Sequence, residues 1–163
     1  MAVVKKKKLR RVNNMFEGKE MRQVLGTFLE EQMAIDPKII VIDADLAKAN
    51  GTFNLRNKFP ERAIDVGIAE QHGTTFAAGL AKAGLKPVFA VYSSFLQRAY
   101  DQLLHDAART NQHWIICVDR AGIVGADGET HQGTLDMAFF RLVPNLTIMA
   151  PKDFKELEQM LEY

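Results

Sequence analysis

With a single cysteine, Cys117, the chain of 163 residues has no means of building an intrachain disulfide framework, and a reduced, cytoplasmic setting is expected. No stretch approaches the roughly 18 consecutive apolar residues of a membrane-spanning helix. The N-terminus lacks a signal-peptide apolar region, so no membrane association is expected. Net charge is only +1, which gives no whole-domain attraction to nucleic acid. Neither GxGxxG after a strand nor GxxxxGK[ST] occurs, which excludes the two common nucleotide fingerprints. GxSxG is absent too. His72, His105, His113, His131 and Cys117 show no zinc spacing, so no metal site within the chain is expected.

What is present is an ordinary globular composition, 47% hydrophobic and 25% charged, in a length that suits one compact domain. The exception is "KKKKLRR", Lys5 to Arg11. No aromatic residue interleaves it and no basic helix face follows, so residues 1–17 read as a solvated arm or linker, and a phosphate-contacting role is the weaker reading. The domain itself is expected over residues 18–163. Met21, Val24, Leu25, Phe28 and Leu29 keep helical spacing, and Asp36-Pro37 ends the helix. "KIIVID" reads as a strand covered on both faces, because its apolar run does not alternate. A long polar connection, "ADLAKANGTFNLRNKFPER", leads to the short strand "AIDVGI".

Helices and strands then alternate. "AEQHGTTFAAGLAKAG" is a small-residue helix and "KPVFAVY" a strand. The helix that follows carries Phe95, Ala99, Leu103 and Ala107 on one face, with Ser93 or Ser94 as its N-cap. "HWIICV" and "LTIMAP" are strands, and Asp153 caps a last helix. The expected fold is therefore α/β, a parallel sheet with helices on both faces. Such sheets bind ligands at the C-terminal ends of their strands, which brings the loops after Ile68, Tyr92 and Asp119 to one edge.

Three polar groups emerge at that edge. Glu70 opens a helix directly after a strand; a first-turn acid favoured by the helix dipole would satisfy the same pattern. Tyr92, Phe95 and Arg98 follow the next strand, Phe95 by default a core residue and Arg98 facing either solvent or a phosphate. The loop "DRAGIVGADGETHQG", Asp119 to Gly133, is rich in glycine, which lets a ligand approach the backbone closely. Asp127 and His131, four apart in it, are spaced to face each other and share a proton or a ligand hydrogen bond. On their own these residues describe an α/β domain with a polar ligand edge and name no reaction.

The segments "DVGIAEQHGTTFAAGLAKAGLKPVFAVYSSFLQRAYDQLLHD", "DRAGIVGADGETHQG" and "PNLTIMAPKD" closely resemble the pyrimidine-binding domain of the transketolase-like thiamine-diphosphate enzymes. The likeness runs from about Gly18 to the C-terminus. Within that group the loops resemble the 1-deoxy-D-xylulose-5-phosphate synthases: Ala126 stands where transketolases carry an acid, and "DRAG" is not a transketolase sequence. The earlier part looks more like the C-terminal half of a split transketolase, which is the alternative.

By that resemblance Glu70 hydrogen-bonds N1′ of the cofactor's aminopyrimidine and is catalytic, and Phe95 stacks on the same ring. Tyr92, Arg98, Arg120, Asp127 and His131 line the substrate side. There the arginines hold an anionic group, while Asp127 and His131 assist proton movement. Gln71 and His72 give structural support only. The cofactors implied are thiamine diphosphate and magnesium, the latter held through a partner domain, since the family's GDG motif is missing here. The implied partners are that diphosphate-binding domain or subunit, a small-molecule substrate, and a second copy in a homo-oligomer such as a dimer. Alone, the chain is expected to be inactive. A non-catalytic assembly module that keeps the fold but not turnover is the rival from another class.

Overall fold

The structure, a computed structural model, describes residues 20–163, so the basic arm of residues 1–17 and the boundary at Gly18 lie outside the described residues. The first helix, α1 (Met21–Ile35), begins where the Glu20 backbone N–H donates to Oε1 of Gln23 at 3.0 Å. It ends at Asp36, whose extended backbone is the one a residue before proline adopts.

Four strands follow in parallel: β1 (Ile39–Asp43), β2 (Ala63–Asp65), β3 (Lys86–Tyr92) and β4 (Ile115–Asp119), in the order β2-β1-β3-β4. Val41 lies opposite Val88, Val88 opposite Ile115, and Tyr92 opposite Asp119, so the strands end along one edge. Successive side chains point to opposite faces. Val41 and Val88 meet Leu25, Leu29 and Met33 of α1, whereas Ile40, Ile42, Phe89 and Val91 form a second core with Ala77 of α3 (Glu70–Lys82). Double coverage explains why "KIIVID" shows no alternation. At Gly26, α1 lies so close to the loop after β1 that a Cβ there would sit 2.2 Å from the Gly51 carbonyl oxygen.

The expected polar connection between β1 and β2 contains a helix, α2 (Phe53–Lys58). Its only buried residue is Leu55, 1% exposed, and one apolar position gives no periodicity to detect. Because Leu55 packs with the α1-side core and Ala77 of α3 with the other, the chain changes face between β2 and β3. The sheet order reverses there, and a crevice opens outside the strand ends at such a point.

Three other expectations are corrected. The segment after β3 is not one regular helix. It runs through α4 (Ser93–Leu96), a 3-10 turn (Gln97–Ala99) and α5 (Tyr100–Gln102) into a π-helical stretch (Leu103–Ala108). Neither serine is its N-cap. Tyr92 holds that position, and Ser93 Oγ donates instead to Asp136 Oδ1 at 2.6 Å. Residues 146–151, "LTIMAP", form no strand, since strand propensity needs a neighbour to pair with. Only Ile148 of that run packs on the core, and Asn145 ties its start to the Ala108 carbonyl at 3.4 Å. By contrast α7 (Phe154–Glu162) is capped as expected, Asp153 Oδ1 accepting from the Glu156 N–H at 2.9 Å. The remaining helix is α6 (Asp136–Phe140). No helix among the described residues is long and apolar enough to cross a membrane.

At the ends of β1 and β2, Arg56 of α2 bridges two carboxylates. It donates to both oxygens of Asp43, at 2.8 and 2.7 Å, and lies 3.0 Å from Asp65 Oδ2. Asp65 Oδ1 accepts the N–H groups of Asp45 and Gly67. Burial alone would raise the Asp65 carboxyl, but those two N–H groups and the Arg56 charge together hold it below its ordinary value. A depressed carboxyl stabilises the fold above its unfolded-state pKa, and that contribution is lost as pH falls through the folded value. Asp65→Asn is therefore expected to flatten the stability curve below the ordinary 3.8 and leave it sloping as before near neutrality. Urea unfolding at stepped pH checks this.

Candidate active site

Glu70 is the first residue of α3, directly after the turn that leaves β2, and only 2% of it is exposed. A helix N-terminus favours a carboxylate at an exposed surface too, so the dipole alone gives no reason for burial. Its partner is Arg98, whose Nη1 donates to Glu70 Oε1 at 2.6 Å. Thr74, one turn along, donates its hydroxyl to the Glu70 carbonyl and fills the space beneath with a fully buried side chain.

Beside this pair lies a cluster of three rings. Tyr92 closes β3 and Phe95 sits in α4, their rings nearly parallel at 5.5 Å. His131 meets Phe95 edge-on at 5.2 Å and Tyr92 at 6.1 Å. Phe95 is only half-buried and packs against the α3-side core. Tyr92 is buried, which raises its phenol above the ordinary value. Two of the rings carry a guanidinium: Arg98 lies 5.0 Å from the Phe95 centroid and Arg120 4.7 Å from that of Tyr92. Such cation–π contacts hold a positive charge against an apolar surface.

Arg120 has a left-handed backbone (φ +59), stabilised by its own N–H donating to Asp119 Oδ1 at 2.8 Å. Its side chain pairs with Asp127 through Nε and with Asp119 at 3.3 Å. Burial would lower this guanidinium, but the bond to Asp127 and the Asp119 charge raise it on balance. Asp127 is thus turned to Arg120. The expected Asp127–His131 pair is replaced by two separate contacts, because a guanidinium offers the carboxylate a charged donor. Nδ1 of His131 instead lies 2.8 Å from the Thr130 hydroxyl. His72, expected to be supportive, stacks on Phe76 at 5.8 Å.

The glycine-rich loop is a closed structure. Gly122 and Gly133 exchange N–H···O bonds of 3.0 and 2.8 Å across its neck. Gln132 braces the interior, accepting from the Val124 N–H and donating to the Val124 carbonyl, both at 2.7 Å. Sequence reasoning missed this brace and the Ser93–Asp136 bond behind it. Neither has a local signal, since the partners lie 8 and 43 residues apart.

Gly133 is where brace and bond meet: a Cβ there would lie 2.4 Å from Asp136 Oδ2, 2.5 Å from Ser93 Oγ and 2.8 Å from Ala121 Cα. Gly133→Ala is expected to cost about 1–3 kcal/mol. It should also loosen the neck, read as faster amide hydrogen exchange at residues 122 and 133.

Among the described residues no group of three or more His, Cys, Asp or Glu could hold a metal ion. What the edge does offer is a buried carboxylate, a half-open aromatic face and two cations beside a histidine. That donor set fits the pyrimidine end of a cofactor. It contains no carboxylate cluster fit for a metal-bound diphosphate.

The family model described as "Transketolase, pyrimidine binding domain" matches residues 17–163. The 1-deoxy-D-xylulose-5-phosphate synthase of Brevibacillus brevis is 59% identical over 127 residues, 78% of this chain and 20% of that protein. The same enzyme from Glaesserella parasuis is 56% identical over 138 residues, 85% of this chain and 22% of its own length. The chain thus spans about a fifth of the relatives it matches. Among solved structures, a split gene transketolase described as an inactive beta4 tetramer superposes with a TM-score of 0.75 at 31% identity. It covers 87% of this chain and 46% of that one. Transketolase from Campylobacter jejuni gives 0.80 at 25% identity, over 88% of this chain and 23% of that one.

Proposed function

Because the chain belongs to the transketolase pyrimidine-binding domain family, we propose that it is the pyrimidine-activating module of a thiamine-diphosphate-dependent transferase of the 1-deoxy-D-xylulose-5-phosphate synthase type. The observation that carries this reading is Glu70: a carboxylate 2% exposed at the head of α3, beside the half-open ring of Phe95. When bound, the cofactor supplies a thiazolium carbon that stores the electron pair released by carbon–carbon cleavage.

Glu70 holds a proton at N1′ of the pyrimidine, which sets the tautomer of that ring. Burial serves this role, because excluded water does not compete for the carboxyl group. Phe95 presents a flat apolar face to the same ring. On the substrate side, Arg120 and Arg98 hold an anionic group by charge-assisted contacts, and Tyr92 closes the apolar wall between them. Asp127 and His131 hydrogen-bond substrate oxygens, His131 through the ring nitrogen that Thr130 does not engage.

The substrates under this reading are pyruvate and glyceraldehyde 3-phosphate, joined with loss of carbon dioxide, an early step toward isoprenoid precursors. Diphosphate and magnesium are held by a partner domain or subunit, and without it the chain is inactive. Residues 18–163 constitute the domain and residues 1–17 its linker. Apolar surface in the segments that carry the site supports a docked partner: Ile68 is 76% exposed and Ile123 87%. A homo-oligomer and a cytoplasmic location complete the proposal.

The experiment is to mix the chain with a separately expressed diphosphate-binding domain and follow carbon dioxide release from pyruvate. Release supports the synthase. Turnover of a ketose phosphate without carbon dioxide favours the transketolase reading, which the split gene transketolase likeness supports. Cofactor binding with neither activity favours an assembly module.

A further inference from the structure

Arg98 touches both halves of the pyrimidine subsite at once. Its guanidinium donates to Glu70 at 2.6 Å and lies 5.0 Å from the Phe95 centroid. Those are the two groups to which the proposed function gives the N1′ proton and the stacked ring. A guanidinium is planar, cationic and rich in N–H donors. In shape and polarity it offers Glu70 and Phe95 what a protonated aminopyrimidine edge offers: a donor to the carboxylate and a flat face to the ring. The geometry points to Arg98 as an internal occupant of the pyrimidine site, a self-blocking latch that the cofactor must displace. This inference rests on the assignment of Glu70 and Phe95 to the pyrimidine.

Two features make displacement feasible. The Arg98 side chain is 49% exposed whereas that of Glu70 is 2% exposed, so the arginine has water to move into and the carboxylate stays in place. Arg98 also sits in the 3-10 turn between α4 and α5, where helix geometry changes. Arg120 differs. It lies over Tyr92, is 19% exposed and is pinned by Asp119 and Asp127, so it stays as a substrate cation while Arg98 leaves. The latch also accounts for a buried carboxylate being tolerated without cofactor, because removal of its only cationic partner among the described residues would strand a buried charge. Once released, Arg98 is free to meet the anionic substrate, which joins cofactor loading to completion of the substrate site.

The test is calorimetric titration of thiamine diphosphate and magnesium into the chain mixed with a separately expressed diphosphate-binding domain, wild type against Arg98→Met. Circular dichroism melts of each protein run alongside. The expected result is about tenfold tighter binding by Arg98→Met, the scale of one charged hydrogen bond no longer broken on binding. Equal or weaker binding by the variant overturns the latch, as does absence of binding in both proteins.

Should Arg98→Met fail to fold, the wild-type chain decides. Nitrogen-15 NMR is expected to show the Arg98 Nε–H signal moving on titration, together with the Phe95 ring signals in carbon-13 spectra. Phe95 shifts with Arg98 unmoved overturn the latch. Glu70→Ala separates the two levels: binding unaffected by Glu70→Ala sinks the pyrimidine assignment itself, whereas binding lost in Glu70→Ala and unchanged in Arg98→Met sinks only the latch.

Discussion

Glu70→Ala is expected to lower turnover of the reconstituted enzyme by about 10²–10⁴-fold, the range that a positioned proton-transfer group contributes. The fold should survive. Alanine is well suited to the first position of α3. The charge left behind belongs to Arg98, whose half-exposed side chain can be hydrated, so no buried cation results. The remaining cost is the small void and the lost ion pair, about 1–2 kcal/mol. Steady-state kinetics and a thermal melt on the same preparation check both halves. Retained turnover would overturn the assignment of Glu70, and an unfolded variant would show that its burial is structural first.

The largest expected effect on stability is at Asp43, which takes no part in the proposed chemistry. Its side chain is 4% exposed, accepts both Arg56 bonds, and also accepts the Leu46 N–H at 2.9 Å. Asp43→Ala leaves the guanidinium beside the end of β1 with half its partners, and the Leu46 N–H with none from this side chain. Breaking a buried pair by removing one partner costs about 3–5 kcal/mol. The low end, about 3 kcal/mol, is expected here, because Arg56 keeps Asp65 and 29% of its side chain remains in water. A urea midpoint shift with unchanged slope is the diagnostic. Asp43→Asn should recover part of the loss, since an amide oxygen still accepts one of the Arg56 bonds.

Much of the fold was legible along the chain because its signals are local. Unbroken apolar runs marked strands buried on both faces, Asp36-Pro37 marked the end of α1, and Asp153 marked the start of α7. The failures share a cause. A six-residue helix with one buried leucine has no periodicity. The "LTIMAP" run has strand composition but no ladder partner in the described residues. Ser93 has the right chemistry for a cap, yet Asp136 claims its hydroxyl from 43 residues away.

The candidate site divides the same way. That Glu70, Tyr92, Phe95, Arg120, Asp127 and His131 would gather at one edge follows from strand ends in a parallel sheet, which the residue order alone determines. Which of them touch was decided by the tertiary structure. Spacing paired Asp127 with His131, but the backbone turn at Arg120 delivers a guanidinium to Asp127 and leaves His131 to the aromatic rings. Helical position left Arg98 between solvent and a phosphate, and the packing of the irregular helix against α3 brings it to Glu70. Periodicity and the succession of strands and helices are properties of a chain read a few residues at a time. Charge pairing across 28 residues is settled only when burial makes an unpartnered carboxylate too costly to leave alone.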